Sequence, residues 1–187
     1  YKWYADNNPN PANGLTPLQN ARQAVALAKD FTAKFDEEFS NILWYGTTGA
    51  GKTFLTNCIA RELLNSTHSV IYLTAIELFD KLSKKDFNKD YGKTDTYDEF
   101  DAEYLTECEL LIIDDLGTEM CNSYTASKLF YIINERLLRK KSVIISTNLS
   151  LRDIMDTYSE RVFSRITSAY RFIKLFGYDI RVLKATR

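Results

Sequence analysis

Eight consecutive residues, Gly46-Thr47-Thr48-Gly49-Ala50-Gly51-Lys52-Thr53, constrain this chain more than any other stretch, because they fit the pattern G-x-x-x-x-G-K-[ST]. They follow an apolar run at residues 42–45 and open a stretch from Lys52 to about Asn65 whose apolar residues recur at helical spacing. Strand, glycine turn and helix in that order aim several backbone N–H groups at one point and add the positive end of the helix dipole there. Glycine is required because so tight a curl passes through conformations that a Cβ obstructs. The expected ligand is the triphosphate tail of a nucleotide, most simply ATP with Mg²⁺. The expected binding segment is Gly46, Thr47, Thr48, Gly49, Ala50, Gly51, Lys52, Thr53 and Phe54, with Lys52 reaching the β- and γ-phosphates and the Thr53 hydroxyl on Mg²⁺. The competing possibility is a glycine turn before an ordinary helix.

Four more apolar runs, at 70–73, 110–113, 143–146 and 172–175, alternate with longer amphipathic segments. Runs this continuously apolar suit strands buried on both faces, and intervening helices serve as crossovers, so the expectation is an α/β, three-layer fold around a parallel sheet. Residues 1–14 hold Asn7, Asn8, Pro9, Asn10, Pro11, Asn13 and Gly14 and read as an irregular lead-in. Thr16 then caps a helix with Gln19 returning the bond and Pro17 in the first turn, while Leu18, Ala21, Val25, Ala28 and Phe31 recur along one face. Residues 15–187 form one domain, with the polar stretch 84–104 as a surface insertion.

The run 110–113 leads straight into Asp114-Asp115. A carboxylate at the C-terminal edge of a parallel strand lies in the crevice where open α/β sheets bind ligands. Asp114 is expected to meet Mg²⁺ beside Thr53, and Asp115 to orient or deprotonate an attacking water; a cap or turn pair is the alternative. A second strand ends in Ser146-Thr147-Asn148, which points to Asn148 as a group touching the γ-phosphate or the water. Asn148 equally suits a turn start, with Ser150 capping the helix that opens at Leu151. Arg161 and Arg165, four apart, share a helix face that alone reads as solvated or salt-bridged.

Lys and Arg number 24 against 25 Asp and Glu, so no global positive field draws in nucleic acid and any such contact is local. Lys81, Lys84, Lys85, Phe87, Lys89 and Tyr91 mix cations with aromatics as single-strand binders do. Asp80, Asp86 and Asp90 alternate with them, and the plainer expectation is a solvated helix whose Leu78, Phe79 and Leu82 face the core. Arg136, Arg139, Lys140 and Lys141 close a helix, where cations favour the dipole. Cys58, Cys108 and Cys121 lack C-x-x-C spacing and His68 is the single histidine, so no zinc set exists and a reduced, cytoplasmic setting is expected. Cys58 is expected as a small buried hydrophobe. No apolar run is long enough to cross a bilayer, so no membrane partner is expected. The chain begins with Tyr1 rather than Met, and an upstream segment is expected.

In order and spacing, GTTGAGKT at 46–53, LLIIDDLGTE at 110–119, STNLS at 146–150, ERVFSRI at 160–166 and GYDIR at 177–181 resemble an AAA+ ATPase domain. Among these, the pattern is most similar to bacterial replicative helicase loaders of the DnaC/DnaI type, with IstB-like transposition helper ATPases as close kin. The resemblance implies a P-loop NTPase with a parallel five-stranded sheet and no separate lid domain. It also implies an ATPase that loads the replicative helicase onto single-stranded DNA, assembled head to tail so that Arg165 reaches a neighbour's γ-phosphate, with Arg161 the second candidate. The family's N-terminal helicase-binding domain is expected to lie outside this chain. Glu119 has no assigned role, and Arg181 is either a nucleotide contact from the last strand or a surface arginine. A transposition helper and a monomeric P-loop nucleotide enzyme are the alternatives.

Overall fold

The computed structural model describes residues 8–10, 14–90 and 102–185. In chain order the elements are α1 (Pro17–Ala33), β1 (Asn41–Gly46), α2 (Lys52–Asn65), β2 (Val70–Thr74), α3 (Ala75–Asp90) and α4 (Ala102–Glu107). There follow β3 (Leu110–Leu116), α5 (Ser123–Leu138), β4 (Ser142–Thr147), α6 (Leu151–Tyr158), α7 (Glu160–Ala169), β5 (Tyr170–Leu175) and α8 (Ile180–Ala185). The five strands form one parallel sheet in the order β2-β3-β4-β1-β5. The α/β three-layer expectation holds, and the described residues beyond β5 form a short helix rather than a separate lid domain.

Strand alternation divides the core. Ile42, Trp44, Leu110, Ile112 and Ile144 face α1 and α2 with Phe31, Leu55, Ile59 and Leu63. Leu43, Leu111, Ile113, Val143 and Ile145 face the opposite side with Leu78, Leu129, Ile133, Ile154, Val162 and Ile166. Each such side chain contributes about 1.5–3 kcal/mol by leaving water. The edge strands depart from the two-sided apolar pattern, because a strand with one neighbour keeps part of its surface wet: β5 exposes Arg171 and Lys174. Thr16 and Gln19 close the expected capping box on α1.

Three expectations are corrected, those for Arg136, Cys58 and Arg181. Within 84–104, α3 runs on to Asp90 and α4 opens at Ala102, and residues 91–101 lie outside the described residues. Leu78, Phe79 and Leu82 are buried and Lys84 pairs with Asp80 at 2.7 Å, as for a solvated helix face. Tyr91 and the side chains of Phe87 and Lys89 lie outside the described residues. Arg136 is not a solvated cation at a helix end but is fully buried. Its guanidinium donates to the carbonyls of Leu105, Cys108, Glu109 and Ser142 at 2.6, 3.0, 3.2 and 2.7 Å, and burial pulls its pKa down. A fork of fixed donors thus ties carbonyls of α4 and of the turn before β3 to the first residue of β4. Cys58 is exposed, because the inner face of α2 is formed by Leu55, Ile59 and Leu63. Arg181 belongs to α8 rather than to the last strand.

Candidate nucleotide site

The sheet order places β3, β4 and β1 side by side, so the chain leaving each strand's C-terminal end converges on one edge. From β1 comes the loop. Gly46 holds φ 120°, and a Cβ there would sit 2.1 Å from the Leu175 carbonyl oxygen, so only glycine lets β1 and β5 approach this closely. Gly51, at φ 103°, turns the chain into α2, and Lys52 is the first residue of that helix. Thr47 N–H donates to Leu175 O at 3.0 Å, and Ala50 is buried. Thr48 and Thr53 are exposed, and the Phe54 ring, next along α2, is 69% exposed.

The Lys52 side chain is buried, and its ammonium uses all three protons: on Gly46 O at 2.9 Å, Thr47 O at 2.8 Å and Asn148 Oδ1 at 2.7 Å. Burial lowers its pKa, while Asp115 and Asp114 pull the other way. Asn148 is brought to the lysine directly after β4. Ser150 caps α6 with Asp153 returning the bond, as expected for that residue.

Asp114 is 3% exposed. Its Oδ1 accepts from the Thr53 hydroxyl at 3.3 Å and from the Ser146 hydroxyl, and its Oδ2 accepts from the Tyr72 hydroxyl at 2.7 Å. Tyr72 is a site residue that the sequence reading missed. It lies on β2 opposite Ile112, two residues before Asp114, a relation legible only once β2 and β3 are known to be neighbours. Its oxygen also lies 3.2 Å from Thr56 Oγ1 and 3.3 Å from Asn57 Nδ2, and burial pushes its pKa up. Thr53 and Asp114 together form an all-oxygen pair that suits a hard divalent cation. Among the described residues no group of three or more His, Cys, Asp or Glu forms a metal site, so a cation here would draw its remaining ligands from nucleotide and water.

Asp115 has φ 55°, the left-handed conformation, and the β3–β4 register shifts between Ile113 and Leu116. Such a bulge re-aims a side chain relative to the ladder. Its N–H donates to Ser146 Oγ at 3.0 Å, and its carboxyl pKa is raised by burial and then by Asp114. Glu119 now acquires a role. Its carboxylate accepts from Gly117 N–H at 2.9 Å and from the hydroxyl of Tyr158, the fully buried last residue of α6. The turn after Asp115 is thereby fastened to α6.

Arg161 and Arg165 are both exposed on α7, and the Arg165 guanidinium lies 6.0 Å from the centroid of the Phe130 ring. The inner residues of α7, Val162 and Ile166, pack on the sheet face opposite α2. Neither Arg165 nor Arg161 is among the charges acting on Lys52 or Asp115; Arg181 acts on both.

A model of the IstB-like ATP binding protein family matches residues 17–169. The replicative helicase loader DnaC of Escherichia coli (strain K12) is 25% identical over 167 residues, which cover 89% of this chain and 66% of that protein. This chain therefore spans just under two thirds of that relative's length. A crystal structure of the DnaC helicase loader aligns with a TM-score of 0.69 at 22% identity, over 90% of this chain and 93% of the other. The replication initiator DnaA bound to AMPPCP and single-stranded DNA aligns with a TM-score of 0.67 at 21% identity, over 88% and 50% of the two chains. At these identities the solved structures speak to a shared fold.

Proposed function

The chain belongs to the IstB-like ATP binding protein family and has the AAA+ form of the P-loop fold, and from that premise we propose that it is the Mg²⁺-dependent ATPase domain of a replicative helicase loader. The observation that carries this is the meeting of Lys52, Asn148, Thr53 and Asp114 where three strands end. An ammonium already held by three oxygens can pass to phosphate oxygens, which are stronger acceptors, with little movement of its stem. Thr53 and Asp114 would hold Mg²⁺, which supplies neutralisation of phosphate charge when bound. In this reading Asp115 takes up a proton from the attacking water, which the register shift beside it and its raised carboxyl pKa support. Asn148 orients the lysine in the absence of nucleotide and the terminal phosphate or water in its presence.

Arg165 points from the face away from its own loop, which suits a heterologous contact in which one chain completes the next chain's site. Helicase and single-stranded DNA are the proposed partners, on the strength of the relatives named for helicase loading and DNA binding. No helix among the described residues is long and apolar enough to cross a membrane, in keeping with a proposed cytoplasmic setting. The family match itself favours a second reading, a transposition helper on the same ATPase core. A monomeric P-loop enzyme is the third.

ATPase rate per chain against protein concentration, with and without single-stranded DNA, tests the shared site. The expected result is a rate that rises with concentration and collapses in Arg165→Ala. A flat rate with an unaffected variant would defeat it and favour the monomeric enzyme. Adding replicative helicase or transposase to the assay separates the two assembled readings.

A further inference from the structure

Between the paired positions Ile113–Ile145 and Leu116–Thr147, β3 has two residues, Asp114 and Asp115, where β4 has one, Ser146. On its other side β3 stays in step with β2 as far as Thr74 and Asp114. The extra residue is taken up at Asp115, whose φ of 55° is a conformation that a Cβ makes costly, and the ladder is interrupted there. Side chains of β4 supply the missing bonds. The Ser146 hydroxyl donates to Asp114 Oδ1 and accepts from Asp115 N–H at 3.0 Å, so one oxygen serves both residues of the bulge. The Thr147 hydroxyl donates to Leu116 O at 2.5 Å and accepts from Leu149 N–H at 3.0 Å, which clamps β3 just beyond it. Ser146 and Thr147 are fully buried, so water does not replace either hydroxyl.

Consecutive side chains of a regular strand point to opposite faces, yet the charges of Asp114 and Asp115 both act on the Lys52 ammonium. The bulge brings the two carboxylates to one edge of the site, and the residue opposite it holds the bulge. We propose that Ser146 is a positioning residue that sets the aim of both carboxylates, with Thr147 locking the strand behind them. Loss of the Ser146 oxygen frees the Asp115 backbone and one side of the Asp114 carboxylate together, whereas loss of the Thr147 hydroxyl loosens the bulge alone. This rests on Asp114 holding Mg²⁺ and Asp115 taking the water proton.

Ser146→Ala removes the shared oxygen, Ser146→Thr keeps it, and Thr147→Val removes a hydroxyl bonded to two backbone groups and to neither carboxylate. Amide hydrogen exchange read residue by residue without nucleotide, ATP and Mg²⁺ titrations, and steady-state turnover are measured for these variants, the native chain and Asp115→Asn, with thermal melts confirming that each is folded. Ser146→Ala should speed exchange at the Asp115 amide about tenfold or more. It should raise half-saturating Mg²⁺ about tenfold and lower kcat at saturating Mg²⁺ by about tenfold to 10²-fold, with ATP affinity within about threefold of native. Ser146→Thr should return kcat to within about threefold of native. Thr147→Val should lower kcat about three- to tenfold with both affinities unchanged, a split that lost stability alone does not produce. If Ser146→Ala keeps native kcat or native exchange at Asp115 while Asp115→Asn loses turnover, Ser146 only fills the strand and the inference is overturned, with the Asp115 assignment intact. Should Ser146→Ala fail to fold, an unchanged kcat in Thr147→Val overturns it equally. If Asp115→Asn turns over ATP as native does, the Asp115 assignment itself fails, and the inference with it.

Discussion

The ammonium nitrogen of Lys52 and the amide oxygen of Asn148 meet at 2.7 Å although 96 positions separate them in the chain. Parallel pairing of β1 with β4, with Tyr45 opposite Thr147, brings the two strand ends to the same height and makes the contact inevitable. Neither residue has this partner unless β4 lies directly beside β1.

Replacement of Asn148 by alanine should separate binding from turnover. The lysine keeps two loop carbonyls, so ATP affinity should fall less than tenfold, whereas kcat should fall about 10²-fold through loss of an oriented polar group at the reacting end. Steady-state kinetics beside equilibrium titration measure both. Equal losses in the two would place Asn148 in binding alone.

Tyr72→Phe removes the hydrogen bond to the Asp114 oxygen that faces away from Thr53, together with the contacts to Thr56 and Asn57, and leaves the Thr53 and Ser146 hydrogen bonds to Asp114. Groups that orient a metal-binding carboxylate typically contribute 10- to 100-fold to affinity, roughly, so half-saturation by Mg²⁺ at fixed ATP should rise by about tenfold. An unchanged Mg²⁺ titration would mean that Ser146 alone suffices to hold the carboxylate.

Glu119→Ala should destabilise the fold by about 1–3 kcal/mol, because the buried Tyr158 hydroxyl loses its carboxylate acceptor. Tyr158→Phe removes donor and demand together and should cost less. Urea denaturation ranks the two variants, and the reverse order would argue against this account of Glu119.

Glu109 carries the clearest acid sensitivity. The Ser69 N–H first, and the His68 ring next, hold its carboxyl at about 2 against an ordinary 4.5. A lowered acid pKa stabilises the fold fully above 4.5, and that contribution disappears as pH falls from 4.5 toward about 2. Native chain should therefore lose stability more steeply across this window than Glu109→Gln. The group is largely exposed, so the difference should be modest and shrink in salt. Parallel stability curves for the two proteins would remove Glu109 from the acid response.

Much of the site was legible in the sequence because it is local. A phosphate loop needs its glycines, lysine and threonine within eight residues, and the caps at Thr16 and Ser150 each need only the next three. Apolar runs of four residues likewise announce strands, since burial on two faces leaves no polar position to spare. What the chain could not disclose locally was which strand lies beside which. That order alone sets Asn148 against Lys52 and Tyr72 against Asp114, and it turns Arg136 inward onto carbonyls of three separate segments. Composition and spacing assign a residue its chemistry. Only long-range packing, through desolvation and the need to satisfy every buried polar group, assigns it a partner, and so Glu119 gained a role, Cys58 lost its burial and Ser146 came to bridge Asp114 and Asp115.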